Sequence, residues 1–170
     1  MELNYELTKE DYVDFNMYHV KNSKGIKKTI FMQRYVISLM FLIIPIAIWI
    51  LKKETFNILY IICPLFWVVW ILFYDKAFDR SIVKKINRML DKSINSGLIG
   101  MHNINLENGE IIEKTSSGYI KNNIRDINEI QETKDHIFIY VSNNNAYVIP
   151  KRTFNSEKKL NSFKIELNIK

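Results

Sequence analysis

Two unbroken apolar runs dominate the pattern of the chain: 35–51, YVISLMFLIIPIAIWIL, and 56–74, FNILYIICPLFWVVWILFY. Neither contains a charged residue, and only Lys52, Lys53, Glu54 and Thr55 separate them. A bilayer core about 30 Å thick is crossed by roughly 17–25 apolar residues at about 1.5 Å of helical rise each. Both runs fit that range, and so short a connection forces an antiparallel helical hairpin. The absence of charge within the runs and the Lys and Arg that bracket them favour a membrane hairpin over two core helices of a soluble domain. A cleaved signal peptide is disfavoured. The first run starts behind a charged segment of 34 residues, and no small-residue cleavage pattern follows it.

Outside these runs the period changes from segment to segment. Residues 2–7 alternate, with Leu3, Tyr5 and Leu7 on one face, which is strand period. A lone strand is not stable, so this one is expected to join strands formed beyond residue 100. Thr8 followed by Asp11 has the form of a capping box and predicts a helix start. Tyr12, Phe15 and Tyr18 or His19 then share a face, Gly25 breaks the helix, and 26–34 lead into the first span.

After the second span, Phe78, Ile82, Ile86, Leu90 and Ile94 recur every four residues, an amphipathic helix that Gly97 and Gly100 end. From there the period is two. Strands are predicted at 104–106, 110–115, 118–122, 136–142 and 146–149. Asn108-Gly109 is a hairpin turn, and Ser116-Ser117-Gly118 and Asn143-Asn144-Asn145 are further turns. Residues 124–133 are ambiguous, with Ile124, Ile127 and Ile130 at three-residue spacing. Pro150 ends the strands, and Ser156 caps a last helix with Leu160, Phe163, Ile165 and Leu167 as its apolar positions.

The expected fold class is therefore an α+β membrane protein. A two-helix transmembrane hairpin is joined to a small antiparallel β domain, like a pleckstrin-homology (PH) barrel, closed by a C-terminal helix. Four segments follow: an N-terminal strand and cytoplasmic helix (1–34), the hairpin (35–74), a basic amphipathic juxtamembrane helix (75–97) and the PH-like cytoplasmic domain (98–170).

Charge sharpens this picture. The net charge is +6, and residues 75–97, with six basic and three acidic side chains, hold half of it. Basic charge beside a span fits an anionic cytoplasmic leaflet. A nucleic-acid module would concentrate charge on its folded domain, and 98–170 is nearly balanced, so no nucleic-acid partner is expected. Before the first span stand Lys21, Lys24, Lys27, Lys28 and Arg34; after the second stand Lys76, Arg80, Lys84, Lys85 and Arg88; the connector has only Lys52 and Lys53. The positive-inside rule then places both termini in the cytoplasm. Cys63, the single cysteine, lies in the second span, so an internal disulfide is impossible. Pro45 and Pro64 fall at similar depth in the two spans and could kink the hairpin at one level.

The N-terminal YELTKEDYVDFNMYHVKNS, the two-span hairpin and the run IRDINEIQETKDHIFIYVSNNNAYVIPKRTFNSEKKLNSF resemble the YcxB-like family of bacterial membrane proteins. VIPKRTF, at 148–154, is the most specific of these stretches. That family usually carries an aromatic residue, often Trp, where this chain has Lys121-Asn122-Asn123. The resemblance implies a PH-like cytoplasmic domain anchored in the plasma membrane, and no catalytic residues.

The residues themselves agree. There is no H-E-x-x-H, no phosphate-binding glycine loop and no G-x-S-x-G. His19, His102 and His136 are far apart, and no carboxylate lies in an apolar stretch where a shifted pKa is expected. Neither an enzyme nor a cofactor is expected. The expected function is a membrane-anchored interaction module with the lipid bilayer and a protein or peptide as partners. An immunity protein against a bacteriocin or toxin is one alternative. An oligomeric pore or transporter component, which would require a homo-oligomer, is another; the lack of intramembrane charge disfavours it. Candidate contacts to lipid or partner are Lys84, Lys85, Arg88, Lys151 and Arg152.

Overall fold

A computed structural model describes residues 1–52, 58–92, 97–142 and 145–167. The sequence-predicted connector at Lys53, Glu54 and Thr55, the helix position Ile94 and the turn residues Asn143 and Asn144 lie outside them. The backbone forms two compact units, Met1–Asn16 with Ile86–Lys170, and Met17–Lys85.

In the first unit, strand β1 (Glu2–Leu7) buries Leu3, Tyr5 and Leu7 and exposes the residues between. It pairs antiparallel with β2 (Gly100–Glu107), Leu3 opposite Ile104 and Leu7 opposite Gly100. The N-terminal strand thus joins the later strands, as its alternation required. Strands β3 (Glu110–Thr115) and β4 (Gly118–Asn123) complete a four-stranded antiparallel sheet in the order β1-β2-β3-β4. Asn108 (φ 53°) and Gly109 (φ 77°) join β2 to β3. Two consecutive positive φ angles make the type I′ turn that matches strand twist.

The ambiguous stretch 124–133 resolves into two parts. A 3-10 turn, Ile124–Asp126, has the Arg125 N–H donating to the Asn123 side chain at 2.9 Å. Strand β5 (Glu129–Glu132) follows. The three-residue spacing of isoleucines is therefore a turn followed by a strand. β5 pairs with β6 (His136–Tyr140), and β6 with β7 (Ala146–Pro150), in a three-stranded antiparallel sheet.

Every residue of β6 is buried. Ile104, Leu106 and Ile111 from one sheet and Ile137, Ile139 and Ile149 from the other form the core. Phe15, on helix α1 (Lys9–Asn22), meets Phe138 edge-on at 5.4 Å.

Helix α5 (Glu157–Glu166) opens with the Lys159 N–H donating to Ser156 Oγ at 3.3 Å. It buries Phe163, and Leu167 just beyond its end is buried too; Ile165, expected among the apolar positions, is 73% exposed. Residues 163 and 167 are one turn apart on one face, and 165 points away from it. Ser156→Ala removes the cap and is expected to lower the unfolding free energy by about 1 kcal/mol, read from the denaturation midpoint of the detergent-purified chain.

The second unit holds α2 (Lys24–Phe31), a π turn (Met32–Val36), a 3-10 turn (Ile37–Leu39), α3 (Met40–Lys52) and most of α4 (Leu59–Lys92). Two helices, Lys24–Leu51 and Leu59–Lys92, are long and apolar enough to cross a membrane, and only 11% and 6% of their most apolar stretches are buried. Tyr74 donates to Gln33 at 2.5 Å, Arg34 pairs with Asp75 at 2.5 Å, and Phe41 meets Trp70 at 6.3 Å. Rising numbers on one helix meet falling numbers on the other, so the two run antiparallel.

The π turn was not foreseen. The Ser38 hydroxyl donates to the carbonyls of Arg34 and Tyr35, at 2.5 and 3.1 Å, where the helical ladder widens. Helix α4 continues unbroken from the second apolar run into the basic segment. Phe78 and Ile82 are half-buried, and Ile86 and Leu90 are buried.

Candidate functional site

The first unit contains two buried polar centres. One is built on Asp11, only 3% exposed. The Thr8 N–H and hydroxyl each donate to its Oδ2 at 2.8 Å, and the Asp11 N–H donates to Thr8 Oγ1 at 3.3 Å, completing the capping box. The same carboxylate faces His136 Nε2 at 2.7 Å and receives Arg152 on both oxygens, at 2.6 and 2.5 Å. Arg152 also donates to the Glu6 carbonyl at 3.1 Å. One side chain thereby ties the start of α1 to the first residue of β6 and to the turn after β7. Burial pushes its carboxyl up, but the hydrogen bonds from Arg152, His136 and Thr8 outweigh that and hold it well below the usual carboxylate range. The bidentate fork is the strong form of this contact.

The second centre lies in a cleft of about 370 Å³. His102 on β2 and Glu113 on β3 are nearly fully buried, with His102 Nδ1 2.9 Å from Glu113 Oε1. The Tyr5 ring stacks on the His102 ring, centroids 5.6 Å apart. Rings of Tyr12, Phe15 and Tyr147 form walls, with Ile120 and Asn122 of β4 beside them. Asn122 donates to the Tyr147 hydroxyl at 2.5 Å. Burial, Glu113, Asp11 and Tyr147 all push the Tyr5 phenol up; burial pushes the Tyr147 phenol up, Asn122 lowers it and Glu113 raises it. Both phenols therefore stay neutral in ordinary solution. His102 Nε2 and the Tyr5 hydroxyl are buried and have no hydrogen-bond partner among the described residues.

The five sequence-predicted contacts separate. Lys84, Lys85 and Arg88 are exposed on α4, and none of them has an ion pair among the described residues. Lys151 pairs with Glu132 at 2.6 Å, and Lys164 reaches the other oxygen of Glu132 at 2.6 Å. Those two lysines hold the Glu132 carboxyl low. Arg152 is bound to Asp11.

Asp11, His102, Glu113 and His136 were not singled out from the sequence, and the expectation that no carboxylate would be shifted fails at Asp11 and at Glu132. For His102 and Glu113 a signal existed. His102 is in phase with the inward Ile104 and Leu106, and Glu113 with the inward Ile111. Polar residues at inward strand positions mark a polar interior.

Residues 106–164 match the YcxB-like protein family. This is the family whose motifs the sequence resembles. The YcxB-like segment supplies Glu113, His136 and Arg152, while His102 and Asp11, their partners, precede it. Neither the curated proteins nor the solved structures contain a match. Among the described residues, no three His, Cys, Asp or Glu side chains are grouped to hold a metal ion.

Proposed function

We propose that this chain is a membrane-anchored binding module of the bacterial plasma membrane. Its two apolar helices cross the bilayer with both termini in the cytoplasm, and its β domain works at the inner face. The observation that carries this reading is the pair of long helices whose apolar surface stays almost wholly uncovered by the protein. Apolar surface of that extent is stable in lipid and a liability in water. The ten-to-two excess of basic residues flanking the tails supports the orientation. Among the described residues, seven antiparallel strands in two sheets, followed by one helix, support a PH-like domain.

Lys151 and Arg152 are engaged within the domain, so the contact to lipid or partner narrows to Lys84, Lys85 and Arg88. Near an anionic leaflet each such cation contributes about 1 kcal/mol. A photo-crosslinker placed at Lys84 or Arg88 in living cells, with mass spectrometry of the adducts, tests this. Anionic lipid together with one discrete protein is the expected capture. Copies of this chain alone would overturn the reading in favour of an oligomer.

A further inference from the structure

The outer edge of β4 and the cleft beside it form one site. β4 is the last strand of its sheet, and no described strand pairs with its outer side. The register decides which of its backbone groups point outward. The Ile124 N–H donates to the Gly109 carbonyl at 2.9 Å, and along an antiparallel edge every second residue bonds to the neighbouring strand. Ile120 and Asn122 therefore turn their N–H and C=O toward β3, opposite Glu113 and Ile111. Tyr119, Lys121 and Asn123 turn theirs away from it. Such a row of outward donors and acceptors is a template for another extended backbone. Natural edges are blunted by proline, bulges or an outward lysine. β4 contains no proline and pairs with β3 in unbroken register, and Lys121 is engaged by Glu110 of β3 at 2.7 Å.

The side chains supply the other half of the site. Ile120 and Asn122 line the cleft of about 370 Å³, to which both sheets contribute. Ile120 stands opposite the buried Glu113, yet it is 57% exposed. The inward face of the sheet is therefore uncovered where it reaches the β4 edge. Leu98, Val141, Ala146 and Val148 give the cleft apolar walls, and none of its lining residues is Lys or Arg.

We infer that β4 takes up an added strand, an extended peptide of a partner protein whose alternate side chains are apolar and enter the cleft beside Ile120 and Asn122. Tyr119, Lys121 and Asn123 supply the main-chain hydrogen bonds. Residues directly opposite on neighbouring strands share a face. Peptide residues opposite Ile120 and Asn122 thus point to the cleft, and those between them point to the outer face. Main-chain bonds of this kind give affinity, and the pocket for alternate side chains gives specificity. An acidic side chain entering the cleft meets no cation and is disfavoured. This deepens the binding-module reading and rests on it.

The test follows backbone amides by NMR in the full-length chain in dodecyl maltoside micelles. The probe is a capped peptide of alternating Val and Thr, with a lysine at each end for solubility. Two controls replace Val by Glu, or carry N-methyl groups on alternate amides. Saturable shifts and slowed hydrogen exchange at Tyr119, Lys121 and Asn123 with the Val-Thr peptide are the expected result. Either control is expected to bind more weakly by at least about tenfold. Lys121→Pro removes an outward N–H and no bond to β3, a place where an edge strand accepts proline. It is expected to weaken the response as much, whereas Lys121→Ala, which keeps that N–H, binds like the parent.

Equal response to the N-methylated or Glu-substituted peptide, or no saturable response, overturns the inference. Equal loss in Lys121→Ala and Lys121→Pro assigns the effect to the ion pair and overturns it too. Slowed exchange at the same amides that grows with protein concentration, without peptide, places a second copy on the edge in place of the peptide. Carbonate extraction reads anchoring separately. A chain that stays in membranes yet gives no peptide response removes this site alone and leaves the anchored module standing.

Discussion

Replacing Asp11 by Ala is expected to cost the β domain about 3 kcal/mol, the low end for breaking a buried ion pair. The carboxylate is the shared acceptor of Thr8, His136 and Arg152. Its loss strands the buried His136 ring and removes the helix cap. Arg152, about half exposed, regains water, which keeps the cost from rising further. Denaturant unfolding of the detergent-purified chain, read together with amide hydrogen exchange at Ile137 and Ile139, measures this. Those amides lie on the wholly buried β6, so their protection reports opening of the unit rather than fraying.

The same site sets an acid limb. A carboxyl held low in the folded state contributes stability that is fully present above its ordinary value, about 3.9, and that is lost as pH falls through the folded value. The parent protein should lose stability below about pH 4, and Asp11→Ala should show a flatter limb there. Equal acid dependence in both would show that the clamp does not carry it.

On the proposed membrane reading, arginines at the centres of both apolar helices together are expected to expel the hairpin from the bilayer or misplace it. Ile44 and Leu65 lie near the middles of the two runs and are exposed. An arginine at the centre of an inserting helix costs about 2.5–3.5 kcal/mol on insertion scales. Neither apolar run contains a carboxylate that could offset the charge. Ile44→Arg with Leu65→Arg should move the chain from the carbonate-resistant membrane fraction to the soluble or degraded fraction. The parent should resist extraction.

Orientation is read in the same material. In a Cys63→Ser background, an impermeant maleimide on intact cells should label Lys53→Cys and spare Lys151→Cys. Labelling of Lys151→Cys before the cells are opened would reverse the topology. Retention of the doubly charged variant would reject membrane insertion as the role of these helices.

Local chemistry determined a large part of this protein. Two uncharged runs with four residues between them give two antiparallel apolar helices, because a helix of that composition has one period and the chain has no room for another turn. Alternation at 2–7 placed Leu3, Tyr5 and Leu7 on one face, and Asn108-Gly109 set the β2–β3 turn, because both signals act over a few residues. Ser156 marked the start of α5 for the same reason.

Other features depend on residues that meet only after folding. Thr8 and Asp11 read as a local cap, yet the Asp11 carboxylate also meets side chains 125 and 141 positions away. Lys151 and Arg152 read as one exposed basic pair, but the turn after β7 sends one to Glu132 and the other to Asp11. The π turn at 32–36 depends on the Ser38 hydroxyl competing for backbone carbonyls, which no apolar period reveals. His102 and Glu113 come together because a two-residue turn fixes the register of β2 against β3, while Tyr5 and Tyr147 close over them from strands at opposite ends of the chain. Periodicity carries the elements, since it is written in neighbouring residues; the polar centres need register and sheet-to-sheet packing, which only the tertiary structure decides.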